Sequence, residues 1–157
     1  MFREMRRAKQ QLSLEETISI LSKCSNGVLA CLGDDGYPYA VPLNYVYYND
    51  KIYFHTAKTG HKIDALAKNS KVSFAVVAED NIVGAKYTSH FLSVIVFGKV
   101  RIAETEERTR AFTVLVEKYA ADRPDDEKRL EIERCSRSMV YAIDIEHITG
   151  KQKGREK

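Results

Sequence analysis

Residues 28–56 read Val28-Leu29-Ala30-Cys31-Leu32-Gly33-Asp34-Asp35-Gly36-Tyr37-Pro38-Tyr39-Ala40-Val41-Pro42-Leu43-Asn44-Tyr45-Val46-Tyr47-Tyr48-Asn49-Asp50-Lys51-Ile52-Tyr53-Phe54-His55-Thr56. Gly33-Asp34-Asp35-Gly36 joins residues that accept left-handed backbone to residues that bond their own backbone, which marks a tight turn. Asn49-Asp50 marks a second turn. Between them, Val41, Leu43, Tyr45 and Tyr47 alternate onto one face of a long strand over 37–48. Residues 28–32, 37–48 and 51–56 therefore predict a three-stranded antiparallel meander. Pro42 lies inside the long strand and has no N–H to donate, which places that stretch at a sheet edge or a bulge.

The rest of the chain extends this pattern in both directions. Ser13-Leu14-Glu15-Glu16 is a capping box opening a helix with Leu14, Ile18 and Leu21 on one face, ending near Asn26-Gly27. A short helix is expected over 61–68, a buried strand over 72–78 and a polar loop over 79–90. Residues 91–103 form another long strand, with Leu92, Val94, Val96 and Val100 set against Ser93, Ile95 and Phe97. Gly98 within it indicates a bulge or a close backbone approach. Thr105 is the expected cap of a helix to about 120, with Phe112, Leu115, Val116 and Tyr119 as its apolar stripe. Pro124 restarts a charged helix to about Cys135, and 139–148 is the last strand.

About six hairpin-linked strands with four helices give one domain over 1–157, mainly β: an antiparallel barrel with flanking helices. Several strands are apolar on both faces, and one barrel interior cannot hold both. The outer face is expected to meet a helix or a second copy of the chain, so a homodimer is expected.

The 157 residues carry a net charge of +3. Residues 1–9 and 151–157 each carry +3, leaving the body, 10–150, at −3. Nucleic-acid modules place their basic face on the folded body, so no nucleic-acid partner is expected, and the basic ends read as solvated tails. Apolar runs reach about five residues where a membrane helix needs about 20, and 1–11 is charged with no apolar run after it. The expected setting is cytoplasmic, with no membrane partner. Cys24, Cys31 and Cys135 form no CxxC, and Cys24 and Cys31 read as small core residues. His55, His61, His90 and His147 form no metal-binding spacing, so no metal site is expected.

The chemistry concentrates in Tyr53-Phe54-His55-Thr56-Ala57-Lys58-Thr59-Gly60-His61-Lys62, where a strand ends, a turn follows and a helix begins. A helix start exposes free N–H groups and a positive dipole end. Thr56, Thr59, His61 and Lys62 add donors and charge, the set a phosphate monoester needs. A solvated cationic helix start explains the same residues equally well. The residues around Pro42 leave backbone groups at an edge for a planar heteroaromatic, although a plain protected edge strand also fits.

The segments 33–46, Lys51-Ile52-Tyr53-Phe54-His55-Thr56-Ala57, Gly60-His61-Lys62-Ile63-Asp64, Ser93-Val94-Ile95-Val96-Phe97-Gly98 and Asp144-Ile145-Glu146-His147-Ile148-Thr149-Gly150 recur in this order with family-like spacing. Together they resemble the pyridoxamine 5′-phosphate oxidase-related, FMN-binding split-barrel family, in its 5-nitroimidazole-resistance branch. The resemblance implies a six-stranded antiparallel split barrel, dimeric, with flavin at the subunit interface. It implies that His61 and Lys62 grip the FMN phosphate and that His55, Thr56 and Ala57 lie beside the ribityl chain and phosphate. Val41, Pro42, Leu43 and Asn44 would lie along the isoalloxazine ring, and Ser93 would approach it. FAD would fit the same motifs. Leu92 stands where relatives often carry Arg, so that strand offers no cation to an anionic substrate. The chain also lacks the Arg-rich tail of the vitamin B6 oxidases, and that activity is not expected. The leading expectation is a flavin-dependent reductase of nitroaromatic compounds, with His55 as proton donor or substrate orienter. The alternatives are a non-enzymatic flavin-binding or redox-sensing protein, and a relative binding haem, through His90 or His147, or a deazaflavin.

Overall fold

The computed structural model describes residues 1–134 and 138–154; Cys135 and 155–157 lie outside them. Seven strands form one antiparallel sheet: β1 (Asn26–Leu32), β2 (Pro38–Asn44), β3 (Val46–Tyr48), β4 (Lys51–Thr56), β5 (Lys71–Val83), β6 (Thr88–Ile102) and β7 (Met139–Lys153). Four helices accompany them: α1 (Leu14–Lys23), α2 (His61–Lys68), α3 (Thr105–Tyr119) and α4 (Asp125–Glu133). The order across the sheet is β2-β1-β5-β6-β7-β4-β3.

The two edge strands, β2 and β3, are the halves of the single long strand expected over 37–48, parted at Tyr45. The first half pairs with β1 and the second with β4. The expected meander is therefore present, and the middle strand carries the chain from one edge of the sheet to the other. Six strands become seven because of this split. The backbone reason is visible in burial. Tyr39, Val41, Leu43 and Tyr45 point inward by strict alternation, and then Val46 is buried as well. Two successive buried residues mean that the strand changes partners.

Inside the sheet, Leu29, Tyr45, Ile52, Phe54, Phe74, Val94, Val96 and Ile143 form the main core, joined by Leu21 of α1 and Leu66 of α2. A second cluster lies outside the sheet. There α3 sets Ala111, Phe112, Leu115 and Val116 on Val46, Tyr53, Val140 and Ala142. The outer face of β3, β4 and β7 thus has a helix over it. The outer face of β1, β5 and β6 leaves Val77 (68%), Ile95 (45%) and Phe97 (39%) exposed.

Gly98 sits where the β6–β7 register shifts, and a Cβ there would collide with the Asp144 carbonyl. The capping box of α1 is formed: the Ser13 Oγ accepts from Glu16 N–H while the Glu16 carboxylate accepts from Ser13 N–H. Four expectations need correction. Residues 79–90 are not a loop, because β5 and β6 stay paired out to Val83 and Thr88, with a bulge after Val77. An exposed ladder needs no apolar face, so polarity was misleading. Asn26 and Gly27 belong to β1, and α1 ends at Lys23. The N-cap of α3 is Glu104, not Thr105. Over the described residues, the basic ends are not frayed tails. Lys151–Lys153 extend β7, Gln11 bridges to Lys151, and the Phe2 ring stacks on His147 at 4.7 Å and on Phe97 at 5.4 Å. One aromatic near the chain start suffices to dock it.

Candidate functional site

Strand β4 ends at Thr56, and the turn 57–60 leads into α2. Gly60 has φ 131°, a region that side chains rarely enter, so the turn requires glycine here. The Gly60 carbonyl accepts from Ile63 and Asp64 N–H at 2.8 and 3.1 Å. No side chain caps α2, and the N–H groups of His61 and Lys62 have no partner among the described residues. Free N–H groups at the positive end of a helix dipole suit an anion.

Lys62 is half-buried, with Nζ 5.8 Å from the centre of the Phe54 ring. Burial lowers its pKa, and the nearby Cys31 raises it by a smaller amount. Among the described residues, no carboxylate pairs with it. His61 turns the other way: Nε2 lies 3.5 Å from Asp34 Oδ2, and the ring stacks on Tyr39 at 4.2 Å. A hydrogen bond from Lys68 is the main cause holding the Asp34 carboxyl below its ordinary range, and His61 adds least. The expected basic pair is therefore divided. Lys62 leans on the barrel wall, and the turn between β1 and β2 holds His61.

Thr56 is half-buried and Ala57 exposed beside this helix start. His55 is exposed, pairs with Val140 of β7, and meets the Phe112 ring edge-on at 5.9 Å. In β2, Val41 and Leu43 turn inward while Pro42 and Asn44 are exposed. β2 is an edge strand, as Pro42 led us to expect. Ser93 is not brought to this group. It lies on the outer face of β6, three strands from β2, or about 14 Å at the usual strand spacing. Cys31 is buried, and its thiol lies 3.7 Å from the Tyr39 carbonyl. Burial raises its pKa, with Lys62 opposing, so this thiol is held in its neutral form.

What holds the split at Tyr45 is not legible in the pattern of neighbouring residues. There both backbone groups are taken by side chains of α3. The Tyr119 hydroxyl accepts from Tyr45 N–H at 3.0 Å. It lies 2.6 Å from the Tyr45 carbonyl and 2.5 Å from the Ser25 carbonyl, donating its one proton to either. Lys118 Nζ donates to the Cys24 and Tyr45 carbonyls at 2.6 and 3.1 Å, and stands 4.6 Å over the Tyr45 ring. Burial lowers the Lys118 pKa. Asn44 is fixed alongside, donating to Ser25 O at 2.9 Å. These contacts set the end of β2, the segment expected along a ring cofactor. Alternation locates Tyr119 on the stripe of α3, but nothing in the sequence tells which backbone its hydroxyl reaches.

An antiparallel sheet whose two edges are one bent strand, with a cationic helix start beside one end, is the split-barrel class. The chain belongs to the pyridoxamine 5′-phosphate oxidase family, whose model matches residues 13–152. Among curated proteins no match is found. Solved structures share the fold. One, from Bacteroides thetaiotaomicron and named for 5-nitroimidazole antibiotic resistance, is 24% identical, with a TM-score of 0.74 over 90% of this chain and 86% of its own. A FAD-binding protein from Mesorhizobium loti is 26% identical, with a TM-score of 0.67 over 92% and 98%. A FAD- and heme-binding protein from Mycobacterium smegmatis is 17% identical, with a TM-score of 0.74 over 94% and 76%.

Proposed function

We propose that this chain is an FMN-binding flavoprotein that acts as a cytoplasmic, flavin-dependent reductase of nitroaromatic compounds. It works as a homodimer with flavin at the subunit interface. The observation that carries the reading is Lys62, a half-buried cation without a carboxylate, next to two free N–H groups at the start of α2. That donor set fits a phosphate monoester. Membership of the pyridoxamine 5′-phosphate oxidase family supports a flavin, and two neighbours of the same fold are named for binding FAD. FAD fits the exposed turn 57–60 as well as FMN does.

When bound, the flavin supplies the electron transfer that no side chain here performs. The Lys62 ammonium and the backbone N–H groups of His61 and Lys62 hold the phosphate, and Thr56 and Ala57 flank it. The free edge of β2 from Val41 to Asn44 offers backbone donors and acceptors to the ring. His55 orients the substrate and passes it a proton from its imidazole. Two features support the dimer: the exposed apolar Val77 and Ile95 on the outer face of β5 and β6, and the distance of Ser93 from the rest of its group. The partner's copy of Ser93 then completes each site.

The test is turnover. The flavin-loaded protein reduces 2-methyl-5-nitroimidazole with a reduced nicotinamide as electron donor, and His55→Ala lowers kcat while flavin stays bound. Failure to reduce any nitro compound with flavin fully bound removes the reductase and leaves a flavin-binding protein.

A further inference from the structure

His55 and Asn44 also line one side of a cavity of about 550 Å³ whose other walls come from α3 and α4. This volume is within the range of roughly 300–1,000 Å³ that takes a small organic ligand. Phe112, Leu115 and Val116 of α3, Ala120 just after it, and Leu130 of α4 make the apolar wall. Helix α4 buries none of its residues, and Leu130 stands 55% exposed at the cavity. Helix α3 packs on the sheet and Ile132 of α4 reaches the same cluster, so the cleft opens beside them with the exposed Leu130 at its wall. His55 joins this space to the proposed flavin site, because its ring already packs edge-on against Phe112.

The charges around the opening decide what enters. Arg123 is paired with Glu127 at 2.6 Å and Arg134 with Glu131 at 3.6 Å. Lys128 donates to the Ala121 carbonyl at 3.1 Å and lies 3.8 Å from Asp125. Each cation already has its partner, so none is spare for a carboxylate or phosphate on the ligand. Burying an unpaired anion against Phe112 and Leu115 would be strongly unfavourable.

We propose that this cavity is the substrate chamber and that it takes an uncharged, planar aromatic molecule of one or two rings, excluding phosphorylated and carboxylated rings. The ring lies against Phe112, Leu115 and Leu130, with its polar substituent toward His55 and Tyr119. The inference rests on the reading that a flavin ring lies along Val41 to Asn44, since that places the chamber beside the reacting edge.

Calorimetric titration of the flavin-loaded dimer tests it, with 2-methyl-5-nitroimidazole as the neutral probe and benzoate as the charged one. The expected result is saturable binding of the neutral probe and at least tenfold weaker binding of benzoate. Ala120→Trp, which fills the chamber, and Leu130→Glu, which sets a charge at an exposed position, each weaken the neutral probe tenfold or more and leave FMN affinity unchanged. Equal binding of both probes, or a neutral-probe affinity that neither folded variant alters, overturns the chamber. The flavin reading fails separately: a protein that takes up no FMN, yet binds the neutral probe and loses it in both variants, keeps the chamber and loses the flavin.

Discussion

At the scale of single residues, Lys62 decides the most. A lysine at a helix start is usually solvated, and the sequence alone could not separate that case from a phosphate ligand. Half-burial against Phe54 without a carboxylate is the observation that supports the proposed phosphate ligand. Replacing Lys62 by Ala removes a charge-assisted hydrogen bond, a contribution of about 1.5–3 kcal/mol. FMN should then bind roughly 10- to 140-fold more weakly, measured by fluorescence titration of the apoprotein. Unchanged affinity would take Lys62 out of the site. Tyr119 is the second decisive residue, because its hydroxyl serves the Tyr45 N–H and faces two carbonyls. Tyr119→Phe leaves the Tyr45 N–H without an acceptor, while Lys118 and Asn44 keep the two carbonyls paired, and should cost about 1–3 kcal/mol in urea unfolding. It should also loosen Asn44. The place of His61 at a helix start was legible in the sequence, but its partners Asp34 and Tyr39 come from elsewhere in the chain and could be found only in three dimensions.

At the scale of elements, the joint between β6, α3 and β7 is ionic. Arg101 donates to both oxygens of Glu107, at 2.6 and 2.8 Å, and to Asp144 at 2.8 Å, while the Tyr53 hydroxyl donates to Glu107 at 2.9 Å. The Arg101 hydrogen bond is the main reason the Glu107 carboxyl falls from 4.5 to about 2. A pKa lowered on folding stabilises the folded state fully above the unfolded value, and that contribution is lost as pH falls through the folded value. Glu107→Gln should therefore be less stable than the parent at pH 7, with the gap closing between pH 4.5 and about 2. Urea unfolding across that range measures it, and a gap that stays constant contradicts the assignment. Most elements were legible because alternation and capping are local signals. The Ser13 box, the α3 stripe and the Gly98 bulge all depend on neighbours in sequence. The extension of β5 and β6 past Val77 was not legible, since its pairing is satisfied between two exposed strands whose residues look like loop. The split at Tyr45 was equally hidden, because partner exchange along one strand leaves alternation intact until Val46.

At the scale of the molecule, the barrel has one outer half covered by α3 and one half bare. The two-faced apolar strands had indicated that something must cover the outside, and α3 accounts for only part of it. In the proposed dimer a second copy covers the rest and brings Ser93 to each flavin. Ile95→Glu, at a position already 45% exposed, should leave the fold intact and yield monomers in sedimentation velocity. Those monomers should lose bound flavin as well. A monomeric parent protein, or a variant that stays dimeric, would contradict the interface. The uneven charge seen in the sequence also changes meaning at this scale. Lys151 pairs with Gln11 and Phe2 stacks on His147 and Phe97, so the described part of each basic segment is tied to the sheet. The most direct measurement of the central claim is the visible absorption spectrum of the purified protein, with its released cofactor identified by mass. The purified protein should be yellow, with flavin bands and one FMN, or its adenylated form, per chain; a colourless protein that takes up no added FMN would rule out the flavin site.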